Sequence, residues 1–349
     1  MNLRTWIQGK KVGLVANPKA GRGADRLDAA LGSLVGCLGT CPLVVADGSR
    51  EADAATKAGR ACTVVRGGGR AGEATERLLD AGVDVVIGVG GDGTLRDIAE
   101  TLVERESGAP LVGVGVGSSN VGPLVSAEAA DGGRLFDAEI VERRIHALDV
   151  SADREPIGLA FHDVVFANTY FGTRDGTRTD LDAAAALRGE DRPAEPRSVC
   201  GPGAWVAKNG RRLLSAAEIE GGQVLASPLN DVDSCRGRAV SGFLCWGPYL
   251  GSHGLLAVAS AVLIRTHLTR EDQEGAEPLR LWHIGFSPED VVEIGGLEEG
   301  AVVVDGTPKR RLESAVSVTL RLREDAVTVL RANPLQGRSG CDAALPREA

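Results

Sequence analysis

Short apolar runs alternate with helical patterns along the first part of the chain. The apolar runs predict strands at residues 12–16, 43–46, 62–65, 83–89 and 111–116, and the stretches between them predict helices at 25–35, 73–81 and 95–104. Strands that alternate with helices are typical of an α/β fold built on a parallel sheet. The run at 83–89 has no polar residue after Asp84, which favours a central strand covered on both faces.

The pattern changes near residue 140. Short β-rich runs separated by Gly, Pro and Asp turns follow at 159–169, 204–207, 239–246, 255–264, 279–284, 291–294, 301–304, 317–322 and 326–330. They indicate a second, mostly antiparallel domain. We therefore predict an α/β domain over 1–140, a β-rich domain over 141–334 and a disordered tail over 335–349. The charged, proline-bearing stretch 174–196 is predicted to be a long mobile loop.

The composition narrows the function by exclusion. The 349 residues carry a formal net charge of −9, which argues against a basic surface for nucleic acid. No apolar run is long enough to span a membrane, and no polybasic patch or basic amphipathic helix favours a membrane surface. The seven scattered cysteines suit a reducing compartment better than a disulfide framework, so we expect a cytoplasmic protein.

The glycine-rich turn after the strand at 83–89 matches two well-known nucleotide signatures incompletely. Residues 88–93 fit G-x-G-x-x-G, the dinucleotide fingerprint of dehydrogenases. That interpretation requires an acidic residue at the end of the next strand, where this chain has Val116-Gly117-Ser118-Ser119-Asn120 instead. A P-loop is excluded as well, because no G-x-x-x-x-G-K-[ST] occurs.

What remains is the turn Gly90-Gly91-Asp92-Gly93-Thr94 between a strand and a helix. Glycines allow backbone N–H groups to approach a phosphate, and a helix N-terminus adds partial positive charge. A carboxylate here would repel a phosphate unless it accepts a proton from an attacking hydroxyl, as phosphoryl transfer requires. Asp92 alternatively only shapes the turn, since Asp-Gly is common in turns. Thr94 and Asp97 together predict a capping box at the helix start.

Gly-Gly-Asp-Gly-Thr is the hallmark of the NAD kinase and diacylglycerol kinase superfamily, which this sequence resembles. Asn17-Pro18-Lys19-Ala20-Gly21 is similar to its Asn-Pro-x-x-Gly turn, and residues 117–120 are similar to its Gly-Thr-x-Asn turn. Residues 159–165 resemble the NAD kinase strand Ala-Leu-Asn-Asp/Glu-Val-Val, and Asp305-Gly306 resembles the Asp-Gly-Gln turn near its C-terminus. His162 stands where NAD kinases have Asn, and this departure points toward the AcoX-type branch of the superfamily.

The resemblance implies a kinase that phosphorylates the adenosine ribose 2′-OH of NAD. It implies ATP or another phosphoryl donor, Mg²⁺ or another divalent cation with no metal-binding residue assigned, and assembly into a homo-dimer or tetramer. Asp92 would be the catalytic residue, while Lys19, Arg22 and Arg96 are candidate cations for phosphate. The residues expected to bind nucleotide or dinucleotide are Gly90, Gly91, Gly93, Thr94, Asn17, Ser118, Ser119, Asn120, His162 and Asp163.

Two other functions remain open. The same fold serves kinases for other small-molecule or lipid hydroxyls, although the chain lacks an evident membrane-binding segment. A nucleotide-binding regulator without catalysis is the third possibility, and the presence of Asp92 argues against it.

Overall fold

The computed structural model describes residues 1–18, 24–67, 69–116, 120, 122–174, 177–230, 253–267, 270 and 278–333. In the first part of the chain, strands and helices alternate. The strands there are β1 Val12–Ala16, β2 Leu43–Ala46, β3 Thr63–Val65, β4 Val85–Gly90, β5 Leu111–Gly115 and β6 Ala127–Glu128. The helices are α1 Leu3–Trp6, α2 Ala24–Cys37, α3 Arg50–Lys57, α4 Ala71–Asp80, α5 Asp92–Glu104 and α6 Gly132–Asp137.

These strands form a parallel sheet in the order β5-β4-β1-β2-β3. Every residue of β1, β2, β4 and β5 is buried, because helices cover both faces of the sheet. Apolar residues of α2 and α3 pack on one face, and those of α4 and α5 pack on the other. The predicted α/β fold with a parallel sheet is thereby confirmed.

The second part of the chain is dominated by antiparallel strands. Its elements are β7 Ile140–Ala152, β8 Glu155–Ala160, β9 Val164–Ala167, β10 Thr169–Arg174, β11 Thr177–Asp182, α7 Ala183–Ala186, β12 Cys200–Lys208, β13 Arg211–Leu214, α8 Ala216–Ile219, β14 Gln223–Ser227, β15 Gly254–Ala259, β16 Leu281–Phe286, β17 Val292–Leu297, β18 Gly300–Val304, β19 Thr307–Leu312 and β20 Ser317–Ala332. One antiparallel sheet has the order β16-β15-β14-β9-β18-β19. The mostly antiparallel character of this part, predicted from its short runs, is confirmed.

The remaining long strands extend the first sheet. β20 pairs antiparallel with β7 and β17, and it also pairs in parallel with β5 at Val329 and Leu111. Val329 and Leu330 are fully buried among apolar residues of the parallel sheet and its helices. The last strand therefore packs back on the first part of the chain, across the predicted boundary near residue 140, which stays a prediction.

The stretch predicted as a mobile loop contains regular structure. Strands β10 and β11 pair antiparallel, with Arg174 in register with Thr177, and α7 follows β11 directly. Leu181 is 3% exposed and lies against Gly172, where an added Cβ would come within 2.1 Å of the leucine side chain. Leu181 is the only buried residue of β11, and the charged residues around it resemble those of a loop, so the loop prediction was wrong for 177–186.

Two predictions fall outside the described residues, namely the strand at 239–246 and the tail over 335–349. Among the helices in the described ranges, none is both long enough and apolar enough to cross a membrane.

Candidate active site

The segments that follow β1, β4 and β5 lie side by side at the carboxyl edge of the parallel sheet. Ala16 is in register with Val89, and Gly90 is in register with Gly115. Beyond these pairs, the backbone N–H of Asn17 donates to the carbonyl of Val89 at 3.1 Å. This edge is where open α/β sheets bind ligands. The structure therefore brings Asn17 to the glycine turn, in keeping with the expectation that both bind nucleotide.

The glycine turn is the beginning of helix α5 rather than a loop that precedes it. Gly91 is the N-cap, with extended backbone, and Asp92 is the first helical residue. The predicted capping box at Thr94 and Asp97 is wrong, because the helix begins three residues earlier and no side chain caps it. The Thr94 hydroxyl instead accepts a hydrogen bond from Asn17 Nδ2 at 2.9 Å. An uncapped helix N-terminus offers backbone N–H groups to an anion.

Gly90 is required by the close packing of strand on helix. A Cβ at this position would lie 2.4 Å from Thr94 Cβ, which no real structure tolerates. Gly93 is less crowded, and its nearest neighbour beyond the helix is Thr307 Oγ1, 3.6 Å from an added Cβ. Since Thr307 begins β19, the glycine turn lies directly against the second part of the chain.

Asp92 is held from the segment after β5. The backbone N–H of Gly122 donates to Asp92 Oδ1 at 3.1 Å. Asn120 packs against Gly115, and its Nδ2 donates to Glu128 Oε2 at 2.6 Å. The structure thus places Asn120 near the site with its amide bonded to β6. The expectations for Ser118, Ser119, Lys19 and Arg22 lie outside the described residues.

His162 and Asp163 occupy the break between β8 and β9. Burial raises the pKa of the Asp163 carboxyl to about 6; His162 opposes the shift, while the charges of Asp305 and Asp92 add to it. This effect of Asp92 places the two predicted site residues, Asp92 and Asp163, in one electrostatic neighbourhood. His162 Nε2 lies 3.8 Å from Asp163 Oδ2, and within the described part of the chain this buried nitrogen has no hydrogen-bond partner.

Asp305 organises this break, and the sequence did not reveal that role. Its carboxylate accepts the backbone N–H groups of Phe161, His162 and Asp163 at 2.9, 2.9 and 3.0 Å. Its own N–H donates to the carbonyl of Asp163 at 2.9 Å. The Asp305-Gly306 dipeptide signalled a turn, but nothing in it pointed to partners more than 140 residues away.

Arg96, a candidate phosphate ligand from the sequence, is committed to the protein itself. It is 3% exposed, and its Nη1 donates to the carbonyl of Val304 at 2.9 Å. Its Nη2 donates to Asp97 Oδ1 at 2.6 Å. A buried guanidinium with both of these partners links α5 to the end of β18, so the expectation that it binds phosphate finds no support in its contacts.

Comparison with known proteins places these features in a family. Residues 12–132, which include Asn17 and Asp92, match the model of the ATP-NAD kinase N-terminal domain. An uncharacterized protein of Archaeoglobus fulgidus is 30% identical over 234 residues, which span 66% of this chain and 70% of that protein.

Two solved structures resemble the whole chain. A yeast NADH kinase complexed with NADH has a TM-score of 0.49 at 11% identity, over 97% of this chain and 90% of that one. A putative diacylglycerol kinase from Bacillus anthracis str. Sterne has a TM-score of 0.49 at 14% identity, over 93% and 97% of the two chains.

Proposed function

Because the chain belongs to the NAD kinase and diacylglycerol kinase superfamily, we propose that it transfers the γ-phosphoryl group of ATP to the adenosine ribose 2′-OH of NAD. The observation that carries this proposal is that the turn carrying Asp92 packs against the second part of the chain, where Gly93 faces Thr307 and Arg96 donates to the carbonyl of Val304. Asp92 opens helix α5 beside the glycine turn, and its charge reaches the buried Asp163. One carboxylate thus sits where phosphate would bind, and the other where an acceptor would enter.

The first turn of α5 supports binding of the donor phosphates. Gly90, Gly91 and Gly93 leave the backbone open, and no side chain caps the helix. A helix N-terminus carries about half a positive charge, which stabilises a phosphate placed there. Thr94, fixed by Asn17, holds the turn in place.

Asp92 is proposed to accept the proton of the acceptor hydroxyl. The bond between the γ-phosphorus and the oxygen that bridges to the β-phosphate breaks, and a bond from phosphorus to the ribose oxygen forms. The proton of the 2′-OH passes to the Asp92 carboxylate, and ADP leaves with the bridging oxygen. Such a reaction depends on position and charge rather than on covalent chemistry by the protein.

His162 and Asp163 are proposed to bind the acceptor. A buried polar atom without a partner costs roughly 1–3 kcal/mol, so His162 Nε2 is expected to find its partner in a ligand. The half-satisfied pair offers a donor and an acceptor side by side, which suits a sugar hydroxyl. His162 takes the place of the asparagine of NAD kinases, which makes the identity of the acceptor the first point to test.

The carboxylate oxygens of Asp92 and Asp163 are hard ligands of the kind Mg²⁺ prefers, so they fit a cation that is held mainly by donor phosphates. When bound, Mg²⁺ would neutralise charge on those phosphates. The described residues hold no group of three or more His, Cys, Asp or Glu side chains that could bind a metal ion without a nucleotide. We further propose small nucleotides as partners, a cytoplasmic location and a homo-dimer or tetramer.

The test is to incubate the protein with Mg²⁺, ATP and NAD and to measure NADP, with Asp92→Asn in parallel. Wild type should form NADP, and the variant should lose at least ~10²-fold in kcat, the scale of a lost general base. Asp53→Asn is the matched control, since Asp53 is an exposed carboxylate in the first turn of α3 and should not affect the rate.

The other outcomes discriminate the alternatives. If no NADP forms but calorimetry shows that the protein binds ATP or NAD, the acceptor assignment is wrong. Small alcohols and lipids should then be screened as acceptors. If no hydroxyl compound is phosphorylated, the chain is a nucleotide-binding regulator. Equal activity of Asp92→Asn and wild type would refute the role of Asp92.

A further inference from the structure

Two carboxylates, Asp163 and Asp305, lie at the proposed acceptor site, and they differ in what they bind. The Asp305 carboxylate accepts hydrogen bonds from the three backbone N–H groups of residues 161–163. Asp163 is 8% exposed, and His162 Nε2 lies 3.8 Å from its Oδ2, beyond hydrogen-bond distance. The Asp305 carboxylate therefore binds the backbone, while the Asp163 carboxylate remains available to a ligand.

The backbone that Asp305 holds is not held by a sheet. Residues 161–163 lie between β8, which pairs with β7 as far as Ala160, and β9, which pairs with β18 from Val164. Their N–H groups point to the Asp305 carboxylate instead of to a neighbouring strand. Hydrogen bonds to a carboxylate are roughly twice as strong as neutral ones, so Asp305 fixes the position from which the Asp163 side chain projects.

The turn that carries Asp305 is itself anchored to helix α5 by a hydrogen bond. Asp305 has a left-handed backbone, with φ of +45°, and follows Val304 at the end of β18. The carbonyl of Val304 accepts the hydrogen bond from buried Arg96, one helical turn after Asp92. A continuous set of contacts thus runs from the glycine turn through Arg96, Val304 and Asp305 to Asp163.

We propose that Arg96 and Asp305 are positioning residues that hold Asp163 at a fixed place relative to Asp92 for phosphoryl transfer. This proposal rests on the proposed function, since it assigns the two residues a part in the same reaction. Neither residue touches the reacting atoms. Each acts through the backbone of 161–163, which Asp305 holds directly and Arg96 holds through Val304.

The first test is amide hydrogen exchange in the protein without nucleotide, so it does not depend on activity. Asp305→Asn should speed exchange of the amides of 161–163 at least about tenfold, the scale of one lost charge-assisted hydrogen bond. The amides of β1 and β4 should not change. Asp153→Asn is the matched control, because Asp153 also has a left-handed backbone, with φ of +51°, and accepts one backbone N–H at 3.1 Å in an exposed turn.

The second test is kinetic. In Asp305→Asn and Arg96→Lys, kcat should fall about 10- to 100-fold, as expected for a misplaced group, while the KM for ATP changes less than about threefold. The lysine keeps the charge of Arg96 but loses its fork, so a purely electrostatic role predicts rescue and a positioning role does not. Arg323→Lys, which alters an exposed ion pair with Asp149, is the control.

Each outcome bears on a different proposal. Unchanged exchange at 161–163 in Asp305→Asn, or unchanged kcat in both variants, overturns the positioning role. An equal fall in all kinetic constants together with faster exchange throughout the protein shows a general loss of stability and overturns it too. If wild type makes no product, the proposed function fails, and the exchange result alone decides whether Asp305 holds the segment.

Discussion

Changing Asp163 to Asn is expected to stabilise the protein at neutral pH, because it removes a charge that folding must bury. The residue is 8% exposed, and burial is the main reason that its pKa rises from 3.8 to about 6. The neighbouring charges of Asp305 and Asp92 act in the same direction. A carboxylate of this kind favours ligand binding at the expense of stability, so its loss should increase stability and reduce activity.

The size of the effect follows from the shift. The folded protein holds this proton more tightly than the unfolded chain, so the free energy of unfolding falls as pH rises between the two pKa values. One pKa unit corresponds to about 1.4 kcal/mol, so a shift from 3.8 to about 6 is worth about 3 kcal/mol once Asp163 is ionised. Asparagine does not titrate and has the size of the protonated acid. The variant should match wild type near pH ~4 and exceed its stability by up to about 3 kcal/mol above pH ~7.

The assay is urea unfolding of both proteins, followed by tryptophan fluorescence, at several pH values from about 4.5 to 8. The difference between the two free energies of unfolding cancels the titration of the groups they share. Asp290→Asn is a control of opposite sign. The hydrogen bond from Lys208 holds the pKa of Asp290 well below its usual range. Its stabilisation is lost only as pH falls below the usual pKa of 3.8, so over the range of the assay this variant should be less stable than wild type by a nearly constant amount.

A difference between Asp163→Asn and wild type that stays constant over this pH range would refute the reasoning. It would mean that Asp163 has the same proton affinity in the folded and unfolded states. A variant less stable than wild type at neutral pH would likewise show that the carboxylate has stabilising partners in the fold.

Two further variants test the proposed role of the glycine turn in binding phosphate. Gly90→Ala places a methyl group 2.4 Å from Thr94 Cβ, so the turn must shift, and turnover with ATP should fall about 10²-fold or more while far-UV circular dichroism stays native. Thr94→Val keeps the shape but removes the hydrogen bond from Asn17 at 2.9 Å, so urea unfolding should show a loss of about 1 kcal/mol and the KM for ATP should rise; an unchanged KM would show that Asn17 does not need this anchor.

Much of the fold followed from the pattern of apolar residues. The strands at 12–16 and 43–46 were predicted to the residue, since each is a short, fully buried run between turns. Helix α5 was predicted to begin at residue 95, but it begins at Asp92. The difference arises because Gly93 and Thr94 have a low preference for helix on their own, and the packing of Thr94 against Gly90 and Asn17 overrides it. The strand pair β10–β11 was missed because its charged residues resemble those of a loop.

The residues of the candidate site differ in the same way: some could be predicted from local sequence, and others depend on partners far away in the chain. Asn17 and Asn120 were assigned to the site of Asp92 through the resemblance, and both follow parallel strands, whose carboxyl ends meet at one edge of a sheet. Asp163 was found through the resemblance to NAD kinases. Asp305 and Arg96 were not assigned their roles, because their partners are more than 140 and 200 residues away, and no spacing in a single sequence reports such pairs.

Helix α5 makes one site out of two parts of the chain. Its first turn carries Asp92, and the next turn sends Arg96 to Val304. One turn further, Glu100 Oε1 accepts the backbone N–H of Leu159 at 2.9 Å. Residues four apart lie on one face of a helix, so Arg96 and Glu100 present a single surface to the second part of the chain. Burial raises the pKa of Glu100, and Lys309 opposes that shift, as expected where a carboxylate is enclosed between packed elements.

This arrangement fixes the position of Asp92 relative to Asp163. A tilt of α5 large enough to displace Asp92 would also break its hydrogen bonds to Val304 and Leu159. A hinge between the two parts would break sheet pairing as well, because β20 joins β7 to β5. Packed interfaces resist small continuous deformation, so the separation of Asp92 from Asp163 is a property of the core. The choice of acceptor should therefore depend on the packing around Asp305 and α5, where changes shift Asp163 itself, more than on the length of the surface loops.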